Sequence, residues 1–143
     1  MSKLLILNEK GSKNKYSIIE VKNIKHLEKH FGEPDVSDSI SEEKARYQNI
    51  GVCTIYAQEM IKKNSTMQLI FIEICIKSIG RFKTSTENIS QNDIAKEVGM
   101  SARTVRKYIK ELEAEGFIKI NKSSHKTIGS GSFSSSYIPI FKQ

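Results

Sequence analysis

Five side chains between positions 103 and 110 have the chemistry to bind a polyanion. Four are cationic and one is a hydroxyl that both donates and accepts hydrogen bonds: Arg103, Thr104, Arg106, Lys107 and Lys110. At 3.6 residues per turn, Arg103, Lys107 and Lys110 stack on one side of a helix, and Arg106 and Thr104 flank them. Charged helix faces are usually just solvated. Here residues 101–110 contain no acid, whereas residues 111–115 contain three, and a merely solvated face would more often mix the signs.

Apolar residues predict the helix that presents this cationic face. Val105, Ile109 and Leu112 follow an i, i+4, i+7 pattern, which forms a buried stripe opposite Arg103. Ser101 precedes the stripe and is placed to cap the helix N-terminus.

A second, shorter helix is predicted just before it. Ser90 and Asp93 have capping-box spacing, and residues 94, 95 and 98 form an apolar face. Ala95 is small enough for two helices to approach, Gly99 follows four residues later at the turn, and Val105 follows six after that. This spacing predicts a helix-turn-helix, in which the second helix enters the major groove of DNA.

The predicted groove position assigns a role to each side chain. Ser101 and Ala102 begin the second helix, at the end that usually points into the groove. Arg103, Thr104 and Arg106 are the best candidates for reading bases. Lys107 and Lys110 are better candidates for phosphate contacts, because a lysine acts as a point charge and does not read sequence.

The residues after Gly116 predict a hairpin. Phe117–Lys122 and Tyr137–Phe141 have the pattern of strands on either side of a Ser/Gly-rich loop, and Pro139 places the second strand at an edge or at its end. Strand, loop and strand after the second helix are typical of a winged helix. Lys122, His125 and Lys126 are then candidates for contacts with phosphate or the minor groove. A flexible polar loop is the alternative.

Residues 41–88 are predicted to support this region. Ser41 is placed to cap a helix that runs toward Tyr47, Gly51 is expected to interrupt the following stretch, and residues 54–63 have apolar residues at helical spacing. Met67–Ile79 is apolar on nearly every face, which predicts a central core helix, or a dimer contact along one side of it. Gly80 is expected to end that helix, and residues 81–88 to form a polar loop.

The N-terminal part reads as a small α+β extension. Lys3–Leu7 and Tyr16–Val21 predict a β-hairpin, Asn23–Phe31 predicts a short helix, and Glu33–Ser41 is the best candidate for a linker. The expected fold is therefore α+β, with an N-terminal hairpin and helix over residues 1–46 and a winged helix-turn-helix over residues 47–143.

The residues Ile89 to Ile120, ISQNDIAKEVGMSARTVRKYIKELEAEGFIKI, carry a resemblance to a known class. Together with the flanking segments, residues 67–141 resemble the winged helix-turn-helix domains of bacterial DNA-binding proteins. The pattern is most similar to plasmid and phage replication proteins of low-GC Gram-positive bacteria, including the RepL type, in which an apolar helix precedes the same motif. Transcriptional regulators also share the pattern. The resemblance implies DNA binding more firmly than it implies a role.

Composition favours a polyanionic partner and argues against other functions. The 143 residues have a net charge of +7, of which residues 67–143 contribute +5. With only Cys53 and Cys75, a disulfide framework is unexpected and a structural zinc site is excluded. His26 and His30 have metal-binding spacing but no evident third ligand. We expect no metal, no cofactor, no small-molecule substrate and no enzymatic activity, since the chain has no P-loop, no GxGxxG and no GxSxG motif.

The chain also has no signal-peptide core and no apolar run long enough to span a bilayer, so we expect a cytoplasmic protein without membrane association.

The sequence thus predicts a protein that binds duplex DNA, as a homodimer because one short helix reads few base pairs. Replication initiation or maintenance of a plasmid or phage is the first choice of role, and transcriptional regulation follows closely. Two alternatives stay open. One is a protein-interaction adaptor that uses the cationic face on an acidic partner. The other is a regulator whose N-terminal part senses an effector.

Overall fold

The structure of the chain is a computed structural model that describes residues 2–8, 11–21, 39–62, 64–126 and 133–141. In chain order it contains strands β1 (Ser2–Leu7) and β2 (Tyr16–Val21), then helices α1 (Glu42–Met60) and α2 (Ser65–Lys77). A single 3-10 turn, Ile79–Arg81, leads to helices α3 (Gln91–Val98) and α4 (Ala102–Ala114), and strands β3 (Ile118–Lys126) and β4 (Phe133–Pro139) complete the fold. The α+β class predicted from the sequence is confirmed.

The N-terminal hairpin is antiparallel, with Leu5 opposite Ile18. Its two faces pack differently. Leu4 and Val21 join the main hydrophobic core, whereas Leu5 and Tyr16 belong to a smaller cluster with Ile40, Ala45 and Phe82. The predicted domain boundary after residue 46 falls inside α1, and the hairpin shares the core of the C-terminal half. The division into two domains stays a prediction.

Helix α1 corrects one prediction. Gly51 does not interrupt it, and one continuous helix of 19 residues replaces the two short ones. Glycine disfavours helix by about 1 kcal/mol relative to alanine. The neighbours Asn49, Val52 and Cys53 are fully or almost fully buried, so tertiary packing holds the helix together across this position. The Ser41 cap is confirmed, because its hydroxyl accepts from the backbone N–H of Lys44 at 3.2 Å.

Helix α2 is the predicted apolar helix, and it begins slightly earlier than Met67. The Asn64 side chain caps it by accepting from the backbone N–H groups of residues 66 and 67. The helix is not buried all round, because the side chains of Leu69 and Ile76 are 51% and 39% exposed. It ends at Lys77 rather than at Gly80, which lies buried inside the 3-10 turn.

The segment 82–88 contains no helix or strand, as expected for the predicted loop, but two of its side chains, Phe82 and Thr86, are buried. Phe82 is buried and ends the 3-10 turn in the left-handed region at φ 62°. Further on, Ile89 exchanges backbone hydrogen bonds of 2.9 and 3.0 Å with Ser135 of β4. The Thr86 N–H donates to the carbonyl of Tyr137 at 2.9 Å, and the Tyr137 N–H donates to Thr86 Oγ1 at 2.9 Å. The hairpin β3–β4 therefore gains a short third chain segment along its β4 edge.

The helix Asn23–Phe31, the linker over residues 33–38 and the histidines His26 and His30 lie outside the described residues. Among the residues that the structure does describe, no three metal-ligating side chains come together. None of the described helices has the length and continuous apolarity that a bilayer crossing requires.

Candidate nucleic-acid interface

Helices α3 and α4 form the predicted pair, and each begins with a serine cap. The Ser90 hydroxyl accepts from the backbone N–H of Asp93 at 3.1 Å, and the Asp93 carboxylate accepts from the backbone N–H of Ser90, which completes a capping box. The Ser101 hydroxyl accepts from the backbone N–H of Thr104 at 3.1 Å. These caps fix where both helices begin, and therefore where the N-terminal turn of α4 points.

The turn between the helices depends on Gly99. It adopts φ 69°, a left-handed conformation that glycine tolerates far better than other residues. The next residue closes the turn, since the backbone N–H of Met100 donates to the carbonyl of Ala95 at 3.0 Å. Ala95 itself is 6% exposed. The predicted trio of Ala95, Gly99 and Val105 thus occupies the helix contact, the turn and the buried stripe.

The apolar side of α4 packs into the main core. Val105, Ile109 and Leu112 are fully buried in one cluster with Ile94 of α3 and Ile70 of α2. Two helices, α2 and α3, therefore pack against α4, and the rotation of α4 about its axis is fixed. Fixing that rotation determines which side chains are presented to solvent.

The opposite side of α4 is cationic and exposed. Arg103, Arg106, Lys107 and Lys110 are all exposed, and they lie within about 100° of the helix circumference. We call these four residues the cationic face. Lys107 rests its ammonium over the ring of Tyr108, 5.2 Å from the centroid. No ion pair joins the cationic face to an acid within the described part of the chain, so these charges are available to an external anion.

The N-terminal residues of α4 differ from one another in exposure. Ser101 is exposed, whereas Ala102 and Thr104 are half-buried. Ser101 Oγ donates to Thr104 Oγ1 at 2.9 Å, so the Thr104 hydroxyl already has one partner inside the cap. The Thr104 hydroxyl accepts in this contact and keeps its own proton for another acceptor, but the contact holds this short side chain at the cap, so it has less freedom to reach a base edge than Arg103 has.

The wing is built by the two C-terminal strands. Both are longer than predicted, and they pair in register from Ile118 opposite Pro139 to Lys122 opposite Ser135, with an irregularity before the pair of Lys126 and Phe133. Pro139 ends β4, as the sequence predicted. Lys122, His125 and Lys126 lie on β3, and their side chains are outside the described part of the structure, as is the loop over residues 127–132.

Tyr137 links the wing to the helix pair, and no sequence signal had singled it out. It is 1% exposed, and burial raises the pKa of its phenol above the usual range, although hydrogen bonds with Gln91 and Ser135 act in the opposite direction. Gln91 is the first residue of α3, so one buried side chain contacts both β4 and α3. From sequence, an aromatic residue in a short strand is ordinarily predicted to lie in the hydrophobic core. The hydrogen-bond partners of its hydroxyl group cannot be predicted from the sequence.

The comparisons with known proteins agree with this geometry. Residues 84–119 match a family model described as winged helix-turn-helix DNA-binding. A search among curated proteins found no match, and a search among solved structures found none either. The matched segment contains the third chain segment, α3, the turn, α4 and the beginning of β3. Residues 84–119 are therefore similar to winged helix-turn-helix DNA-binding domains, and the helix pair α3–α4 followed by the β3–β4 hairpin has the winged helix fold.

Proposed function

We propose that this protein binds duplex DNA in a sequence-specific manner, with the N-terminal half of α4 in the major groove. The observation that carries the proposal is the cationic face, which is exposed opposite a fully buried apolar stripe and has no acidic partner among the described residues. A B-DNA major groove is about 12 Å wide and admits one helix. The acids of α4 begin only at Glu111, so they lie toward the end of the helix that would leave the groove.

Within this proposal the four cations have two kinds of role. Arg103 and Arg106 lie in the first turns of α4 and are assigned to base edges, because a guanidinium matches the O6 and N7 acceptors of guanine in two hydrogen bonds. Lys107 and Lys110 are assigned to phosphates. Thr104 is retained as a base contact, while its bond with Ser101 makes it the most constrained of the set. Ser101 and Ala102 are assigned to the groove entrance.

The wing is proposed to contact the neighbouring backbone or the minor groove. The residues proposed to make this contact are Lys122, His125 and Lys126, on the strand that follows α4. What supports the assignment is position in the chain and charge, since β3 leaves directly from the end of α4 and runs toward the loop over residues 127–132.

The proposed role is replication initiation or maintenance of a plasmid or phage, carried out as a homodimer in the cytoplasm. What supports replication is the resemblance of Ile89 to Ile120 to the RepL type, together with the apolar helix α2 placed before it. The family model that matches residues 84–119 is described by DNA binding alone. Transcriptional regulation is therefore the alternative role for the same site.

Selection of bound duplexes from a random pool tests this proposal. We expect enrichment of one site that contains guanines opposite Arg103 or Arg106. A palindromic site would indicate a dimer, and tandem repeats would favour replication over regulation. Failure to enrich any site would contradict sequence-specific binding.

A simpler experiment distinguishes this proposal from the alternative of an adaptor that binds an acidic protein surface with the cationic face. Gel shift with random duplex at low salt should show non-specific binding by a DNA-binding protein, because phosphate contacts supply most of that affinity. An adaptor should show little shift under the same conditions.

A further inference from the structure

The two strands of the N-terminal hairpin differ in how their outer edges are covered. The bond from the backbone N–H of Asn8 to the carbonyl of Lys15, 2.9 Å long, fixes which pairs share ladder hydrogen bonds. In that register the backbone groups of Leu5 and Leu7 point away from β2. The N–H and C=O of Leu5 are both bonded to the Asn49 side chain, and the N–H of Leu7 donates to the carbonyl of Phe82 at 3.0 Å. The protein itself therefore covers the edge of β1 at Leu5 and at the Leu7 N–H.

Within the described residues, the edge of β2 is open. The same alternation directs the backbone N–H and C=O groups of Tyr16, Ile18 and Glu20 away from β1. Within the part of the chain that the structure describes, no hydrogen bond reaches these outward groups. An unpaired strand edge is a template for pairing with another strand.

An exposed apolar side chain lies on this edge strand. Ile18 of β2 is 46% exposed, and Leu7, on the same face of the hairpin but in β1, is 48% exposed. Natural edges are commonly protected by proline or by central charges, especially lysine. The strand YSIIEV contains neither proline nor lysine, and its one charge, Glu20, lies next to its end and opposite Lys3.

We propose that β2 pairs antiparallel with β2 of a second copy of this chain, about a two-fold axis at Ile18. This register places Ile18 opposite Ile18 of the second copy and Tyr16 opposite Glu20 of the second copy. The outward N–H and C=O groups of one strand then face those of the other strand, and the two strands can form about six backbone hydrogen bonds. The axis also brings the exposed Ile18 and Leu7 of the two copies to one side of a continuous four-stranded sheet.

The charges are compatible with this pairing. The two Glu20 carboxylates lie four residues apart along the paired strands, which is about 13 Å and beyond the Debye length of about 8 Å at physiological salt. The competing surface is the exposed stripe of α2 that contains Leu69 and Ile76. That stripe offers apolar side chains alone, because the backbone groups of α2 are bonded within the helix. The β2 edge offers outward backbone groups in addition to the exposed Ile18, so we favour it as the self-association surface.

This proposal identifies the contact between the two chains of the homodimer that was proposed above. It rests on the proposed function only for the purpose of the homodimer, which is to bind DNA. Its test needs no DNA. Sedimentation velocity over a range of protein concentrations should show a monomer–dimer equilibrium for the full chain. Ile18→Lys places two like charges at the axis, and Ile18→Pro removes only an outward N–H that the hairpin itself does not use. Both variants should sediment as monomers. Leu69→Lys, the same change at an equally exposed apolar residue, should remain dimeric.

Three results would overturn the β2 contact: a wild-type chain that stays monomeric, an Ile18→Lys variant that still dimerises, or loss of the dimer in Leu69→Lys alone. Circular dichroism confirms that each variant is folded. Hydrogen exchange adds a readout that folding defects do not mimic, since the Ile18 amide of the wild type should gain protection as protein concentration rises. Protection that is independent of concentration would mean that another segment of the same chain covers β2. Because DNA affinity is measured separately, failure here leaves the assignment of the cationic face intact.

Discussion

Asn49, in the middle of α1, is hydrogen-bonded to both backbone groups of Leu5 in β1. The Leu5 N–H donates to Asn49 Oδ1 and the Asn49 Nδ2 donates to the Leu5 carbonyl, each at 2.8 Å. The same Nδ2 also donates to the carbonyl of Ile79 at 3.0 Å. The buried Asn49 amide thus bonds to the edge of β1 in the way that a neighbouring strand would. It joins β1 to α1 and to the 3-10 turn that precedes the helix pair. The N-terminal hairpin is therefore attached to the core of the winged helix by specific polar contacts as well as by apolar packing.

Replacement of Asn49 by alanine should destabilise the whole chain. Three buried backbone groups lose their partner, and an unsatisfied buried group costs about 1–3 kcal/mol. We expect a loss of about 3–5 kcal/mol in the free energy of unfolding, measured by denaturant titration. Asn92→Ala makes the same chemical change at an exposed position of α3 and should change stability by less than about 0.5 kcal/mol. Equal effects of the two changes would show that the Asn49 contacts contribute nothing specific.

This contact also shows where sequence reasoning stops. Ser90, Gly99 and Ser101 were predicted correctly because capping and left-handed turns are local, and each depends on residues within about four positions. Asn49 reaches Leu5 across 44 positions, and an asparagine in a helix reads from sequence as a neutral surface residue. The continuity of α1 through Gly51 was missed for the same reason, since the burial that holds it is tertiary.

The cationic face was predictable, whereas its supporting contacts were not. Helical pitch alone places Arg103 opposite Val105, and the structure exposes the first and buries the second. The pairing of residues 86–89 with β4 has no signature in the sequence, because a Thr/Ser-rich stretch equally describes a loop. The side-chain geometry of Lys122, His125 and Lys126 stays a prediction.

Arg103→Ala should relax base preference. A guanidinium that forms two hydrogen bonds with a guanine contributes about 1–3 kcal/mol of discrimination, and phosphate contacts contribute none. We expect affinity for the selected site to fall by that amount and affinity for random duplex to change little, both measured by fluorescence anisotropy. Lys110→Ala is the matched comparison and should weaken both duplexes alike. If Arg103→Ala also weakens both alike, Arg103 contacts phosphate.

Gly99 should tolerate asparagine better than alanine. A Cβ at this position meets nothing within 4 Å, so the cost of substitution is that of the left-handed backbone alone. That cost is about 1–2 kcal/mol for alanine, and it is smaller for asparagine, which visits this region more readily. Denaturant titration of the two variants checks the order. A Gly99→Asn variant no more stable than Gly99→Ala would show that the turn is not limited by its backbone conformation.

Glu73 should make stability depend on pH. Burial raises the pKa of its carboxyl above the ordinary value of 4.5, although Lys77, 3.6 Å away, acts to lower it. Because the folded state then holds the proton more tightly than the unfolded state, this group should favour folding at low pH. That contribution is lost as pH rises from about 4.5 through the raised value.

The matched variant for this effect is Glu73→Gln, which keeps the shape and removes the titration. As pH rises through that window, the unfolding free energy of the wild type should fall relative to that of Glu73→Gln. A difference that is constant with pH, or that moves in favour of the wild type, would mean that the ion pair with Lys77 outweighs burial.

The most direct test of the account is the salt dependence of duplex binding by the wild type and by a variant with alanine at Arg103, Arg106, Lys107 and Lys110. These four side chains are exposed, so their removal should leave the fold intact. If about 4–6 phosphates are neutralised, the logarithm of the wild-type association constant should fall with the logarithm of salt concentration with a slope of about −4 to −5. The alanine variant should bind much more weakly and with a clearly shallower slope. Unchanged affinity and slope in the folded variant would show that DNA does not bind at the cationic face of α4.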